Sequence, residues 1–421
     1  MIPFKTIPDV AVTLKNVTVP GCILQSPEDL VRTDLHIAEG RLTDRPGQPV
    51  EMAGAMVFPC FIDMHTHLDK GHIWPRSPNP DGTFAGALAT VAADRAARWS
   101  AEDVRRRMEF SLRCAYAHGT RAIRTHLDSV PPQDEISWPV FAEMRDRWAG
   151  RIELQAVSLT AIDITDFDGR FQITLNLVKE LQGVLGLVTY PCADLEPRLR
   201  KFLSLAAING LDVDLHVDET MDPEVATLRS IASAVLETAF PGKVTVGHCC
   251  SLSTQLPDEA ARTMDLVARA GLNVVSLPMC NLYLQDRGPG TPRRRGITLV
   301  HELEERGVNV CFASDNTRDP FYAYGDLDML EVMRQATRIG HLDHRGTGWP
   351  QAFLGNPARA CGLQPPSLAP GSPADLVICK ARTWTELFAR PQSDRIVLRA
   401  GRMIDTALPD YAELDDLMVP E

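Results

Sequence analysis

Eight apolar, β-branched runs alternate with amphipathic stretches between about Met56 and Asp315, and this alternation constrains the fold more than any other feature. The runs are AMVFPCFI, RAIRTH, IELQAVSL, GVLGLVTY, LDVDLHV, KVTVGHC, LNVVSLP and VNVCFASD. Between them lie stretches such as AEDVRRRMEFSLRCAYAHG and DEAARTMDLVARAG, with helical spacing and glycine near the end. The runs are apolar throughout rather than alternating, as strands are in a parallel sheet covered on its outer face. Eight strand-then-helix units predict an α/β protein, a (β/α)8 TIM barrel. A doubly wound sheet has the same periodicity, because the pattern does not count closure.

The two ends read differently. Residues 1–57 hold VAVTLKNVTV and DLHIAEGRL with turn residues between them, and residues 366–421 hold LAPGSPADLVICKARTW and RIVLRAGRMI. The expected organisation is a barrel over residues 58–365 and a small β-sandwich-like domain assembled from 1–57 and 366–421. A chain of 421 residues has room for both.

Composition removes several function classes. Hydrophobic residues make up 44% and charged ones 23%, the balance of a soluble globular protein. A formal charge of −12 argues against nucleic-acid binding, which needs a basic surface. No apolar run is long enough to span a bilayer, and MIPFKTIPDVAVTLKN does not read as a signal peptide. The ten cysteines form no C-x-x-C pair, which fits a reduced, cytoplasmic protein. The basic loop RGPGTPRRRG, with Arg293, Arg294 and Arg295, reads as a solvated loop or a subunit contact.

Candidate chemistry gathers where the apolar runs end. His65 and His67 follow the first run, His126 ends the second, and Gln155 lies in the third. His216 ends the fifth with Glu219 three residues on, His248 ends the sixth, and Asp315 ends the eighth. In a barrel these ends surround one mouth. Strand residues i and i+2 share a face, so His65 and His67 can both point inward. Three imidazoles and a carboxylate suit a divalent metal, zinc or iron. Bound to such a metal, a water falls from a pKa of about 15.7 to about 7. One carboxylate can then take its proton and a second can deliver it to a leaving nitrogen, tasks that suit Asp315 and Glu219.

Each residue taken alone has a plainer reading. A single His-x-His is more often a surface pair, His126 a satisfied polar residue, His216 a buried hydrogen bonder, and Asp315 or Glu219 a helix cap. Recurrence at the ends of runs one, five, six and eight favours the site. His36, His118, His301, His341 and His344 read as surface residues, and His72 as part of a flexible loop.

The motifs HTHLDK, RTHLD, LQAV, DLHVDE, GHCC, NLYLQDRGPGTPRRRGIT and GVNVCFASDNTRDPFYAYG resemble the amidohydrolase superfamily, in its cytosine deaminase branch. The resemblance implies one divalent metal on His65, His67, His216 and Asp315. It implies that His248 orients the metal hydroxide, that Asp315 accepts the water's proton, and that Glu219 shuttles protons to the ring nitrogen and the departing ammonia. Gln155 matches the residue that meets the amide edge of the pyrimidine. The binuclear branches use a carboxylated lysine on the fourth strand, and GVLGLVTY has none.

Departures concern the substrate. Asn316 stands where cytosine deaminases carry a second aspartate and Phe321 where they carry tryptophan, and SLTAID and TYPCADLEP also differ. An amide in place of a carboxylate removes a charge and adds two donors. The expected function is hydrolytic deamination of an amino-substituted nitrogen heterocycle, cytosine or a close analogue, with release of ammonia. The alternatives are a pterin, another fused ring or an aminotriazine, hydrolysis of a cyclic amide, and, from another class, a non-catalytic metal-binding barrel. The expected partners are a small heterocycle and further copies of the chain, with no nucleic acid and no membrane. H-x-E paired with P-C-x-x-C is absent, which sets aside the unrelated zinc deaminases of nucleic acids.

Overall fold

A computed structural model describes residues 7–419. Five strands come first: β1 (Val12–Pro20), β2 (Leu30–Ala38), β3 (Arg41–Thr43), β4 (Gln48–Glu51) and β5 (Met56–Pro59). The apolar runs supply β6 (Phe61–Thr66), β7 (Thr120–Asp128), β8 (Glu153–Leu159), β9 (Leu185–Thr189), β10 (Val213–Val217), β11 (Val244–His248), β12 (Asn273–Ser276) and β13 (Asn309–Phe312). The last three are β14 (Leu376–Cys379), β15 (Ile396–Arg399) and β16 (Arg402–Met403).

Strands β6 to β13 are parallel and lie in chain order. One ladder joins β6, β7 and β8, and a second runs from β9 to β13. Parallel bridges Val157↔Val184 and Thr66↔Asp315 connect the neighbours at the two seams between these ladders. Strands β9 to β12 are almost wholly buried, which is why their sequences carry no polar alternation. Helices cross over between most strands, as parallel neighbours require. The helix Ala101–His118 starts at Ser100, whose hydroxyl accepts the Asp103 N–H, and stops at Gly119 with φ +93°. A β-carbon at Gly119 would lie 2.4 Å from Val377 Cγ2, so close approach of β14 also demands glycine there.

The other strands form one mixed sheet in the order β16-β15-β14-β5-β1-β2-β3, with β4 beside β1, and it draws on both ends of the chain. Val12, Leu14, Val17, Val57, Leu376 and Leu398 bury one apolar cluster of this sheet. The run AMVFPCFI, read as one strand, divides at Cys60. Met56–Pro59 pairs antiparallel with β14, and Phe61–Thr66 pairs parallel with β7. A uniformly apolar run carries no mark of where the chain changes sheets.

His72 departs from the flexible loop expected of it. It is 1% exposed and its ring lies 4.8 Å edge-on from Phe110, under the closing segment that brings Tyr411 and Leu414 onto the helix Ala101–His118. Among the described residues no helix is long and apolar enough to cross a membrane.

Candidate active site

His65 lies in β6 and His67 just past its end, His216 is the penultimate residue of β10, and β11 ends in His248. Asp315 follows β13 and is locked to β6, its N–H donating to the His65 carbonyl at 2.9 Å. His248 and Asp315 both have φ +67°, in the left-handed region that non-glycine residues seldom occupy. Such backbone costs of order 1–3 kcal/mol per residue and gathers where side chains must be aimed.

Four buried groups converge here. His216 Nε2 lies 3.1 Å from His65 Nε2 and 3.3 Å from His67 Nε2. Asp315 Oδ1 lies 3.2 Å from His67 Nε2 and 3.6 Å from His65 Nε2. Ligands about 2.0–2.1 Å from a tetrahedral zinc stand about 3.3 Å apart, so these separations fit the edges of such a cage. Burial drives all three imidazoles well below their usual pKa, with neighbouring positive charge adding to it, so they are neutral, as ligands must be. Asp315 is buried, and the side-chain donor it meets is the weak Cys280 thiol. A buried carboxylate so poorly supplied with donors is costly unless a cation compensates it, so the donor set fits a divalent metal.

Glu219 and His248 stand beside this group. His248 Nδ1 lies 3.3 Å from Glu219 Oε1, and Asn281 Nδ2 lies 3.0 Å from the former and donates to the latter at 3.2 Å. An Asn281 N–H given to Nδ1 leaves the proton of the neutral imidazole on Nε2, which has no other partner. Burial, reinforced by Asp315, pushes the Glu219 carboxyl well above the carboxylate range. A cavity of about 660 Å³ opens over these residues, lined by His67, His216, Glu219, His248, Asn316 and Phe321 at its base and by Phe84, Leu88 and Ile164 on its walls.

A match to the amidohydrolase family covers residues 165–404, more than half of the chain. The chain is an amidohydrolase. It is 55% identical over 416 residues to a pterin deaminase of Rhizobium rhizogenes strain K84, covering 96% of this chain and 95% of that protein. It is 22% identical to an N-isopropylammelide isopropyl amidohydrolase of Pseudomonas sp. strain ADP, over 87% of this chain and 89% of that one. Among solved structures, the 5-methylcytosine deaminase of Klebsiella pneumoniae with 5-fluorocytosine superposes with a TM-score of 0.79 at 24% identity, covering 95% of this chain and 98% of that one. The last two likenesses are to the fold.

The amidohydrolase brings His65, His67, His216, Asp315, Glu219, His248, Asn316 and Phe321 together. Gln155 lies apart. Its Oε1 accepts from Arg124 at 3.0 and 3.1 Å and its Nε2 donates to the Cys361 carbonyl, so the side chain is committed outside the cavity. Asn316 Nδ2 donates to Asp319 Oδ2 at 2.7 Å, and Asp319 Oδ1 accepts the N–H groups of Phe321 and Tyr322. Arg293 and Arg294 donate their backbone N–H groups to Asp286, while the Arg295 guanidinium donates to the Ile339 carbonyl.

Sequence reasoning missed three residues and misjudged a fourth. Asn281 and Asp319, which hold Glu219, His248 and Asn316, lie inside the quoted motifs NLYLQ and SDNTRDP. Lys70, in HTHLDK, reaches the cavity, with its ammonium 3.2 Å from Asp128 Oδ1 and 5.1 Å from the Phe321 ring centre. Burial lowers its pKa, but Asp128, Asp319 and Asp69 outweigh that and leave it raised and charged. His126 is not the satisfied polar residue expected. Its ring lies 4.0 Å from that of His65 and 4.6 Å from that of His216, and neither nitrogen has a hydrogen bond.

Proposed function

We propose that this amidohydrolase, a hydrolase of carbon–nitrogen bonds in cyclic amidines, deaminates a pterin and releases ammonia. The observation that carries the reading is the 55% identity with a pterin deaminase along 96% of the chain. The cavity supports it: about 660 Å³ is far more than a single pyrimidine needs, and Phe84 and Phe321, 5.5 Å apart and edge to face, offer aromatic surface to a fused ring. The weight thus moves from cytosine to the fused-ring alternative.

His65, His67, His216 and Asp315 would hold one divalent metal, zinc or iron. When bound there, the cation supplies the Lewis acidity that makes water a nucleophile at neutral pH. Glu219 moves protons, first to the ring nitrogen beside the amino-bearing carbon and then to the departing amine. His248 donates from Nε2 toward the oxygen added to the ring, with Asn281 fixing its tautomer. Asp319 holds the Asn316 amide so that its remaining polar atoms, with Phe321, meet the ring. Water adds to the carbon, the exocyclic C–N bond breaks, and an oxo group and ammonia result.

Architecturally, β6 to β13 close as a (β/α)8 barrel over residues 58–365, and the sheet of both ends forms a small domain from 1–57 and 366–421. The two seam bridges and the two-ended sheet support this division. A cytoplasmic homo-oligomer completes the proposal, and the ten free cysteines suit a reducing compartment. The test is ammonia release by metal-reconstituted protein from pterin, cytosine, 5-methylcytosine and an aminotriazine. Turnover highest on pterin is expected. Preference for a single pyrimidine ring would overturn the substrate, and silence on every ring would overturn deamination.

A further inference from the structure

We propose that Cys280, Glu219 and Asp315 form a second, weaker metal site that inhibits the enzyme when it fills. One ligand atom from each of the three lies within 4.8 Å of the others. Asp315 belongs to both groups. Its Oδ1 faces His65 and His67, and in a residue 1% exposed the side-chain donor it meets is the weak Cys280 thiol, a proton that a cation can displace. A carboxylate left so can bridge two cations, as carboxylates do in two-metal hydrolases.

Cys280 is fully buried, its thiol hydrogen-bonded to Asp315 and its Sγ 3.6 Å from Asn316 Oδ1 and 3.9 Å from the Phe321 carbonyl, all weak interactions for a thiol. A thiolate beside two carboxylates selects zinc or cadmium over magnesium or calcium. Of the three, Glu219 lines the cavity, next to Asn316, and is the ligand a cation would meet first.

The second site is the weaker one, with three protein ligands against four and one of them shared. Sulfur and oxygen ligands around a tetrahedral zinc stand about 3.3–3.6 Å apart, so ligand atoms within 4.8 Å of one another close on a cation with small shifts. Binding breaks the Cys280 S–H bond, releases that proton to solvent and forms a metal–sulfur bond, with no change of oxidation state. A filled site holds the Glu219 carboxylate in a metal bond, where it cannot carry protons. Only this inhibition rests on the role proposed for Glu219; occupancy of the site does not.

The test starts from holoenzyme with one zinc per chain and adds cadmium in equilibrium dialysis. The expected result is a second equivalent with the first zinc retained, an ultraviolet cadmium–thiolate band, and turnover lowered about 10²-fold, the contribution of a proton-transfer group. Cys280→Ser should keep the first metal and its turnover and lose both band and inhibition, and Cys280→Ala serves if the serine variant does not fold. Binding that ends at one equivalent, or equal inhibition in the cysteine variants, would overturn the site. A band and a second equivalent in protein that deaminates no ring would sustain the metal site and overturn the deaminase reading instead.

Discussion

Arg76, Asp94, Asp103 and Arg107 are nearly as buried as His65, His67, His216 and Asp315, but their polar atoms are accounted for. Arg76 donates to both oxygens of Asp94 and of Asp103, and Trp99 and Ser77 add donors to Asp94. Arg107 donates twice to Asp103 and, with its remaining nitrogen, to the carbonyls of Asp69 and Gly71. That holds the loop carrying Lys70 just beyond His67. The histidine group instead turns His216 Nε2 to within 3.1 Å of His65 Nε2 and 3.3 Å of His67 Nε2, beside Asp315 Oδ1 at 3.2 Å from His67 Nε2. Buried charge that is paired fixes a loop; buried lone pairs turned on one point await a ligand.

The sharpest way to break this comparison is to remove a group from each cluster. His216→Ala should empty the metal site and abolish turnover, yet leave the metal-free protein's unfolding midpoint nearly unchanged. Metal analysis and thermal melts read the two effects separately, and a large loss of apo stability would mean the imidazoles are structural. Glu219→Gln should retain the metal and lose about 10²–10⁴-fold in kcat. A variant that keeps its full rate would remove Glu219 from proton transfer.

Arg107→Ala should reverse that pattern. It strips a buried carboxylate of a partner at a cost of about 3 kcal/mol in denaturant unfolding, and a cost near zero would contradict the structural reading. Asn316→Asp sets two acids 2.7 Å apart. KM for the preferred ring should rise about tenfold, worth ~1.4 kcal/mol, with metal content unchanged; an identical substrate profile would separate Asn316 from ring recognition.

The smallest effect expected is a pH dependence in the paired cluster. Burial raises the Asp103 pKa, but Arg107 and Arg76 outweigh it, so the folded value lies below the ordinary 3.8. The stabilisation is complete above that ordinary value and is lost as pH falls through the lower, folded one. Unfolding free energy should therefore decline below about pH 4, less steeply in Arg107→Ala. Parallel slopes would place the acid sensitivity elsewhere.

Much of the candidate site was legible because its residues punctuate strand ends. An imidazole or carboxylate closing a long apolar run is conspicuous, and His65, His67, His216, His248 and Asp315 were all found that way. Asn281, Asp319 and Lys70 were not, because an amide, an acid or a lysine in a loop reads as solvated until the chain buries it. Gln155 failed for the opposite reason. Its place in the third strand matched a known pattern, but which end of a strand a side chain serves depends on what packs beside it, here Arg124 and Cys361.

The sequence alone determined the alternation of eight apolar strands with helices, the β-rich ends, and the inward pair at i and i+2, because periodicity is a local property of the chain. Tertiary structure decided the rest. It divided AMVFPCFI between two sheets at Cys60, brought the His126 ring against that of His65, buried His72, and set Cys280 against Asp315. These depend on contacts between segments tens to hundreds of residues apart, and only the folded chain specifies the separations and burial that turn polar side chains into ligands, partners or idle neighbours.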